Sequence, residues 1–515
     1  MRSESITDLV SAAAGRPEAP ALVVTPDRIP VSYGALIRLA DDLAGQLKRS
    51  GLRPGDRVAL RAGSNAEFVV GLLAALRAEL IVVPLDPALP VSEQRVRSGA
   101  AGARAVLVDG DGSGDRQEST LTSWPIAVTI GGDGVAPAVH LDAAAGPSRV
   151  TSMPEGLRRD DAMIMFTGGT TGMPKMVPWT HANIAASVQA IIAGYGLGPL
   201  DATVAVMPLY HGHGLLAALL ATLVSGGTVL LPARGRFSAH TFWDDIAAVR
   251  ATWYTAVPTI HQILLERAKT DQSGHKRATM RFIRSCSAPL TPETAQALQD
   301  EFSAAVVCAY GMTEATHQVA TTGIEAIDTG ENPATKTGLV GASTGPVIRI
   351  AGSGGAPLAA DAVGEVWLRG PTVVRGYLGD PAITADNFTD GWLRTGDLGS
   401  LSPLGDLTIR GRIKELINRG GEKISPERVE GVLAGHPDVL EVAVFGVPDK
   451  LYGETVAAVI VTRESASSTP AELDVFCRER LAAFEVPASF REASALPHTA
   501  KGSLDRSAVA QRFGG

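Results

Sequence analysis

Cysteine is scarce in this 515-residue chain, which contains only Cys286, Cys308 and Cys477. Three cysteines without a CxxC pair cannot form the disulfide framework of a small secreted domain, so we expect a reducing, cytoplasmic setting. The segment from Met1 to Leu9 lacks the apolar run of a secretory signal peptide. No stretch reaches the roughly 18 uninterrupted apolar residues of a membrane span, and no membrane-spanning helix is predicted.

An excess of positive charge is also missing. The chain has 46 Lys and Arg residues against 54 Asp and Glu residues, a formal net charge of −8, so no nucleic-acid partner is predicted. Hydrophobic residues make up 45% and charged residues 19%, which excludes an intrinsically disordered chain. Because this length exceeds what one hydrophobic core usually supports, we expect at least two domains.

Short apolar segments alternate with helical patterns over most of the chain. Arg57–Leu60 and Ala162–Phe166 are typical buried strands, and Ala66–Arg77 is a typical helix. This alternation predicts an α/β domain of parallel sheets covered by helices. After Gly411 a charged stretch leads into a compact α+β pattern. We therefore predict a large N-terminal domain, residues 1–411, and a small mobile C-terminal domain, residues 412–515.

The segment from Phe166 to Lys175 reads FTGGTTGMPK, follows an apolar strand and precedes a helix that begins near His181. Its glycines let backbone N–H groups point toward one site, while its threonines add hydroxyl donors and Lys175 adds a cation. Pro174 precedes the lysine and no Ser or Thr follows it, so this is not a Walker A loop. The pattern favours a polyphosphate ligand, bound by Thr167, Gly168, Gly169, Thr170, Thr171, Gly172 and Lys175.

This loop resembles that of the acyl-adenylate-forming superfamily of acyl-CoA synthetases, luciferases and peptide-synthetase adenylation domains, although Met176 stands where a final glycine is usual. The resemblance continues in order along the chain, through PLYHGHG (208–214), SCSAPL (285–290), YGMTE (310–314), TGD (395–397) and GRIKELI (411–417). It implies the adenylate-forming fold, in which the small domain rotates about a hinge at Lys414.

The same resemblance implies a role for each matched residue. Glu314 would hold Mg²⁺ beside ATP, and Lys175 and Thr313 would contact the reacting phosphate or carboxylate oxygens. Gly420 and Gly421 would border the tunnel for the pantetheine of coenzyme A. The remaining ATP contacts would come from Ser287, Ala288, Pro289, Tyr310, Gly311, Met312, Thr313, Asp397 and Arg412, with Tyr310 near the adenine and Asp397 on the ribose.

These parts imply a two-step reaction. The substrate carboxylate attacks the α-phosphate of ATP and releases pyrophosphate, and the thiol of coenzyme A then displaces AMP. Both steps depend on positioning and charge neutralisation, so we expect no protein nucleophile and no role for Cys286 or Cys308. A free-standing carrier protein is a less favoured acceptor, because the Gly421 loop resembles the branch that uses coenzyme A.

The predicted acyl pocket is polar, since His211, His213, Ser287 and His317 all fall on segments expected to line it. An alkyl chain would leave such groups unpaired at a cost of roughly 1–3 kcal/mol each. The strings IRSCS (283–287) and MTEATHQ (312–318) resemble oxalate–CoA ligases, in which two histidines and a serine hold oxalate. Matching them gives His213, His317 and Ser287. We predict oxalate or a similar small polar acid; a short-, medium- or long-chain fatty acyl-CoA synthetase is the alternative.

The C-terminal motif departs from the family pattern. Family members carry a lysine that contacts the reacting carboxylate, in a pattern like P-K-T-x-x-G-K-I/L-x-R, whereas residues 497–506 read PHTAKGSLDR. Ser503 stands at the lysine position, and Lys501 lies two residues earlier. Either Lys501 takes over the role, or the enzyme adenylates slowly, or the chain is a non-catalytic nucleotide- or acyl-CoA-binding relative. We favour activity with Lys501 as the catalytic lysine, because the other expected residues are present.

Overall fold

A computed structural model gives the fold, and all structural statements concern the residues it describes, namely 5–110, 122–131, 136–143, 145–149, 153–167, 174–270, 280–324, 333–463, 468–498 and 504–514. The strands are β1 Pro20–Val24, β2 Ile29–Ser32, β3 Arg57–Arg61, β4 Ile81–Leu85, β5 Ala103–Asp109, β6 Ser123–Thr129, β7 Ala138–Leu141, β8 Asp161–Phe166, β9 Met176–Thr180, β10 Ala202–Val204, β11 Thr228–Leu231, β12 Trp253–Ala256, β13 Phe282–Cys286, β14 Ala305–Met312, β15 His317–Thr321, β16 Leu339–Ser343, β17 Val347–Ala351, β18 Gly364–Arg369, β19 Phe388–Thr389, β20 Trp392–Leu401, β21 Leu407–Arg412, β22 Ile417–Arg419, β23 Glu422–Ile424, β24 Val439–Asp449, β25 Gly453–Thr462 and β26 Ser489–Glu492.

The α-helices are α1 Ile6–Ala13, α2 Tyr33–Arg49, α3 Ala66–Arg77, α4 Val91–Ala100, α5 His181–Tyr195, α6 Ala221–Val224, α7 Phe242–Val249, α8 Pro258–Thr270, α9 Pro292–Phe302, α10 Pro381–Asn387, α11 Pro426–Ala434, α12 Pro470–Arg478 and α13 Arg506–Phe513. A π-helix, His213–Leu220, leads directly into α6. In this part of the chain, no helix is both long enough and apolar enough to cross a membrane.

The described strands form four sheets. A seven-stranded sheet has the order β7-β6-β5-β3-β4-β8-β9, and a four-stranded sheet has the order β10-β11-β1-β2. A ten-stranded sheet runs β12-β13-β14-β15-β16-β21-β20-β18-β17, with β19 beside β20. The C-terminal sheet has the order β23-β22-β25-β24, with β26 beside β25.

The ten-stranded sheet corrects the expectation of parallel pairing throughout. β12, β13 and β14 are parallel, whereas every pair from β14–β15 onward is antiparallel. The turn from β14 to β15 is a single 3₁₀ turn, Thr313–Ala315, which is too short for a parallel crossover. The fold class itself is confirmed, because helices cover mixed sheets in an α/β arrangement.

Helix α5 lies between the two largest sheets, where it contacts both β9 and β15. Its start is fixed by a capping box, in which the Thr180 hydroxyl accepts from the Asn183 N–H at 3.0 Å. Gly196 ends it with a φ of 55°, a left-handed conformation that favours glycine. These two ends place Tyr195 against β13 and β15.

The C-terminal sheet follows the predicted pattern closely. The compact α+β pattern predicted after Gly411 is observed, with helices α11 and α12 beside strands β24, β25 and β26. β24 and β25 pair antiparallel along their length and form an apolar core with α11 and α12. The 3₁₀ turn Ile413–Glu415 joins this sheet to β21. The division at residue 411 and the hinge at Lys414 stay predictions.

Candidate active site

The predicted phosphate segment is described at its two ends. The Thr167 N–H donates to the Lys175 carbonyl at 3.2 Å, closing the β8–β9 hairpin. The Lys175 ammonium lies 4.6 Å from the centre of the Tyr377 ring, a cation–π distance. Gly168, Gly169, Thr170, Thr171 and Gly172 lie outside the described residues, so their phosphate-binding roles stay predictions.

Glu314 also contacts Tyr377. Its carboxylate is 7% exposed and accepts a hydrogen bond of 2.9 Å from the Tyr377 hydroxyl. The neighbouring Thr313 carbonyl accepts from the Trp179 indole N–H at 2.8 Å, which fixes the turn. Burial, and next the Glu314 charge, raise the pKa of Tyr377, so its hydroxyl keeps its proton and remains a donor. The structure thus brings Lys175 and Glu314 to opposite parts of one side chain, and Tyr377 was not identified from the sequence.

Asp397 joins two other predicted nucleotide contacts. Its Oδ2 accepts a hydrogen bond from the Tyr310 hydroxyl, and its Oδ1 lies 2.9 Å from the Arg412 Nε. The strand register places Asp397 directly opposite Arg412, which explains the ion pair. Burial raises the pKa of Asp397, and Arg412 opposes that rise. A buried carboxylate beside a tyrosine is chemically suited to accept hydroxyl donors such as those of a ribose.

Gly311 is required by the close approach of β14 and β15. A Cβ at this position would lie 1.7 Å from the His317 carbonyl oxygen, so any side chain would push the two strands apart. The YGMTE segment therefore carries its glycine for a steric reason. In this close pairing of the two strands, His317 lies opposite Met312 and therefore near Glu314.

A second group of polar residues lies beside this turn. His213 Nδ1 is 3.1 Å from the Ser287 hydroxyl, and the His213 and His317 rings stack with centres 5.2 Å apart. His213 is 5% and His317 is 6% exposed, whereas Ser287 is exposed. The structure therefore brings together all three residues predicted to hold an oxalate-like acid, with Ser287 on the solvent side.

Arg284 lies behind this group and was not identified from the sequence. Its guanidinium is fully buried and has five N–H donors. The Nε donates to the Tyr195 oxygen at 2.9 Å. One terminal nitrogen lies 3.1 Å from His213 Nε2 and 3.0 Å from the Thr255 hydroxyl. The other lies 3.1 Å from His317 Nε2 and 2.9 Å from the side-chain amide oxygen of Gln318.

All five acceptors of Arg284 are neutral groups. No carboxylate of the described residues forms an ion pair with it. Burying an unpaired charge costs several kcal/mol, and the site retains one positive charge that no described acidic residue offsets. This combination is typical of a binding site for an anion.

Both imidazoles are neutral at physiological pH. Burial and then the Arg284 charge hold the pKa of His213 well below its ordinary value, and the same two causes act on His317. For Arg284, burial acts to lower the pKa, but the Tyr195 phenol and the Cys286 thiol outweigh it and the pKa is raised. The site therefore contains one permanent cation and two neutral imidazoles.

Comparison with known proteins identifies the family of the chain. Residues 9–378 match the AMP-binding enzyme family, and residues 428–503 match the AMP-binding enzyme C-terminal domain. The chain belongs to the AMP-binding enzyme family. The oxalate–CoA ligase of Arabidopsis thaliana is 40% identical over 523 residues, which cover 100% of this chain and 99% of that protein.

Two further relatives narrow the type of enzyme. The sulfoacetate–CoA ligase of Cupriavidus necator is 35% identical over 498 residues, 96% of this chain and 95% of that protein. The crystal structure of ATP-bound MatB from Rhodopseudomonas palustris aligns with a TM-score of 0.82 at 28% identity and covers 99% of each chain. This AMP-binding enzyme is an AMP-forming acyl-CoA synthetase, whose substrates include ATP and coenzyme A.

In this acyl-CoA synthetase the polar group of His213, Ser287 and His317 is built on unusual backbone. Ser287 has a φ of 72° and His317 a φ of 77°, left-handed values that are strained for residues other than glycine and cluster at functional sites. His213 is the first residue of the π-helix, a form that is also frequent at functional sites. At Gly214 a Cβ would lie 2.4 Å from the Met207 and Pro208 carbonyl oxygens, so glycine permits this tight start.

The remaining predicted residues of the large domain lie on or next to strands and helices already described. Ala288 and Pro289 follow β13, and Met312 ends β14. His211 contacts the Tyr210 ring edge-on, with centres 4.8 Å apart. Lys501 and Ser503 lie outside the described residues, so the catalytic role of Lys501 stays a prediction.

The residues of the C-terminal region that were predicted to bind coenzyme A or to act as a hinge are exposed. Gly420 and Gly421 form the exposed turn between β22 and β23, where the Gly420 N–H donates to the Tyr452 carbonyl at 2.8 Å. Lys414 is an exposed residue of the connecting 3₁₀ turn. Their roles in coenzyme A binding and rotation stay predictions.

Proposed function

We propose that this acyl-CoA synthetase activates oxalate, or a similarly small acid with a second anionic group, and transfers the acyl group to coenzyme A. The observation that carries the proposal is the buried Arg284 charge, which is surrounded by neutral acceptors and lies behind His213, His317 and Ser287. A second anionic group on the substrate would supply the missing negative charge. An alkyl chain would leave the polar groups unpaired.

The two curated relatives reported above support this choice of acid. Their names specify oxalate and sulfoacetate, and each of these acids carries a second anionic group besides the carboxylate that is activated. A pocket with one uncompensated cation suits that shared property.

For adenylation, Lys175 and Thr313 would contact the oxygens around the α-phosphate, and Tyr310 and Asp397 would hold the nucleoside. Lys175 stabilises negative charge that develops as pyrophosphate departs. Glu314 is a hard oxygen donor next to this lysine, which fits Mg²⁺ that takes most of its ligands from phosphate and water. When bound, Mg²⁺ would neutralise charge on the triphosphate. No described cluster of three or more His, Cys, Asp or Glu residues could hold a metal by itself.

The acid would be oriented from its far end. His213, Ser287 and His317 would hold the anionic group that is not activated, which leaves the other carboxylate to face the α-phosphate. Such orientation turns the attack into an effectively unimolecular step. Lys501 would supply the cation that family members carry two residues later, and after a rotation about Lys414 the Gly420–Gly421 turn would border the entry of coenzyme A.

A panel of acids tests the proposal. AMP formation should be measured with Mg·ATP and coenzyme A, using oxalate, malonate, sulfoacetate, acetate, hexanoate and palmitate side by side. We expect oxalate to give the highest kcat/KM. A preference for hexanoate or palmitate would contradict the proposal and favour the fatty acyl-CoA synthetase. No AMP with any acid, despite intact ATP binding, would favour an adenylation-impaired relative.

Single substitutions then locate the acid site. We expect His213→Ala and His317→Ala each to raise the KM for oxalate by about tenfold or more. His317→Ala removes a hydrogen-bond donor to the charged acid, and His213→Ala removes the contact that orients the Ser287 hydroxyl. The exposed His140→Ala is the matched control and should leave that KM unchanged. Unchanged oxalate kinetics in both pocket variants would refute this assignment.

A further inference from the structure

Arg284 determines which nitrogen of each imidazole carries the proton. A guanidinium only donates hydrogen bonds, so a ring nitrogen 3.1 Å from it must accept. That nitrogen is Nε2 in both His213 and His317. A neutral imidazole with an accepting Nε2 carries its proton on Nδ1. The geometry therefore specifies the same tautomer for both rings.

The contact with Thr255 leads to the same tautomer for His213. The Thr255 hydroxyl lies 2.6 Å from His213 Nε2 and also accepts from Arg284 at 3.0 Å. Because the Thr255 oxygen accepts a hydrogen bond from Arg284, the Thr255 O–H is free to donate to His213 Nε2. Whether the bond to Nε2 is direct or passes through Thr255, Nε2 is the acceptor.

The two Nδ1–H groups then point away from Arg284. His213 Nδ1 is 3.1 Å from the Ser287 oxygen, so it donates there and leaves the serine proton for another acceptor. His317 Nδ1 has no hydrogen-bond partner in the part of the chain that the structure describes. Arg284 itself cannot contact a substrate, since its five N–H groups are already used.

We propose that Arg284 is a positioning residue of the acid site, which fixes His213 and His317 as Nδ1–H tautomers so that Ser287 and His317 present hydrogen-bond donors to the anionic group of the acid. The inference rests on the proposed function only for the identity of that acid. Arg284 acts through the two imidazoles and Ser287, and it adds a buried positive charge that favours a dianion over a monocarboxylate. The site thus selects an anionic group, because each polar atom that faces the acid is a hydrogen-bond donor.

The tautomers can be measured without any substrate. The protein labelled with ¹⁵N-histidine should show, by long-range ¹H–¹⁵N correlation, that His213 and His317 are both neutral with the proton on Nδ1. Spectra of His213→Ala and His317→Ala assign the two rings among the ten histidines of the chain. An Nε2–H tautomer in either ring would overturn the proposal. This measurement is independent of which acid is used, so it separates failure of the inference from failure of the proposed function.

Kinetics of two arginine variants provide the second test. In Arg284→Gln we expect the KM for the acid to rise by about tenfold to a hundredfold, with a smaller change in kcat and no change in the KM for ATP. Arg284→Lys keeps the charge but has three donors for five acceptors, and should show a smaller rise. Arg281→Gln, which removes a partly exposed arginine paired with Asp201, is the matched control.

The outcomes of the variant experiment are unambiguous. A rise in the acid KM together with altered tautomers in Arg284→Gln supports the proposal. Unchanged tautomers together with an unchanged acid KM in that variant overturn it. If Arg284→Gln does not fold, the tautomers of the unmodified protein decide the question.

Discussion

His261 offers a quantitative test of how the interior behind the acid site responds to pH. The side chain lies on α8, is fully buried, and its Nδ1 is 3.1 Å from the Tyr254 hydroxyl. Burial lowers its pKa to about 3, although backbone hydrogen bonds act in the opposite direction. In the unfolded chain the same imidazole titrates near its ordinary pKa of about 6.5.

The sign of the effect follows from proton binding. As the pH falls below about 6.5, the unfolded state takes up a proton at His261 and the folded state does not, so folding stability decreases until the pH approaches the folded pKa. Between about pH 7 and pH 5, this one group should lower the free energy of unfolding by about 2 kcal/mol. Other groups titrate in this range as well, so the comparison must be made between variants.

The matched variant is His261→Gln, whose amide oxygen can still accept from Tyr254 and which does not titrate. Urea unfolding of both proteins at the two pH values should show that the variant becomes more stable relative to the unmodified protein by about 2 kcal/mol at the lower pH. The exposed His140→Gln is the control and should show no such gain. Parallel pH dependence of the unmodified protein and His261→Gln would refute the reasoning.

Three further predictions concern catalysis. Glu314→Gln should lower acid-dependent pyrophosphate exchange by about a hundredfold, because it removes the proposed carboxylate for Mg²⁺; undiminished exchange would contradict that role. Tyr377→Phe, which loses a hydrogen bond to a charged group worth about 1.5–3 kcal/mol, should raise the KM for Mg·ATP about tenfold while the KM for the acid stays constant. Lys501→Ala should lower pyrophosphate exchange about a hundredfold, and Ser503→Lys added to it should restore exchange; full activity of Lys501→Ala would assign the role elsewhere.

Much of the fold and part of the site could be predicted from the sequence, because the family motifs are contiguous segments. The YGMTE turn and the strands of the small C-terminal domain each carry a local pattern. The long antiparallel part of the ten-stranded sheet was not predicted, since strands such as β16, β20 and β21 mix buried and exposed positions without a clear apolar run.

Arg284 was missed for a different reason. Its acceptors lie on α5, β12, β15 and the start of the π-helix, and they are separated from it by 29 to 89 positions in the sequence. Such a network has no local pattern. The one indication in the sequence is an arginine in the middle of an apolar strand, FIRSC. A buried arginine is rare unless its N–H groups have hydrogen-bond acceptors. Tyr377 similarly depends on contacts made across the fold.

In the proposed function Asp397 binds the ribose of ATP, and both of its carboxylate oxygens are already engaged, by Tyr310 and by Arg412. Ribose hydroxyls that bond to it would share its lone pairs with these two residues, so the ATP affinity would depend on both sets of bonds. Arg412 is also the last residue of β21, immediately before the turn into the small sheet. A nucleotide bound at Asp397 would therefore weaken the Asp397–Arg412 ion pair, which lies directly before the turn into the small sheet.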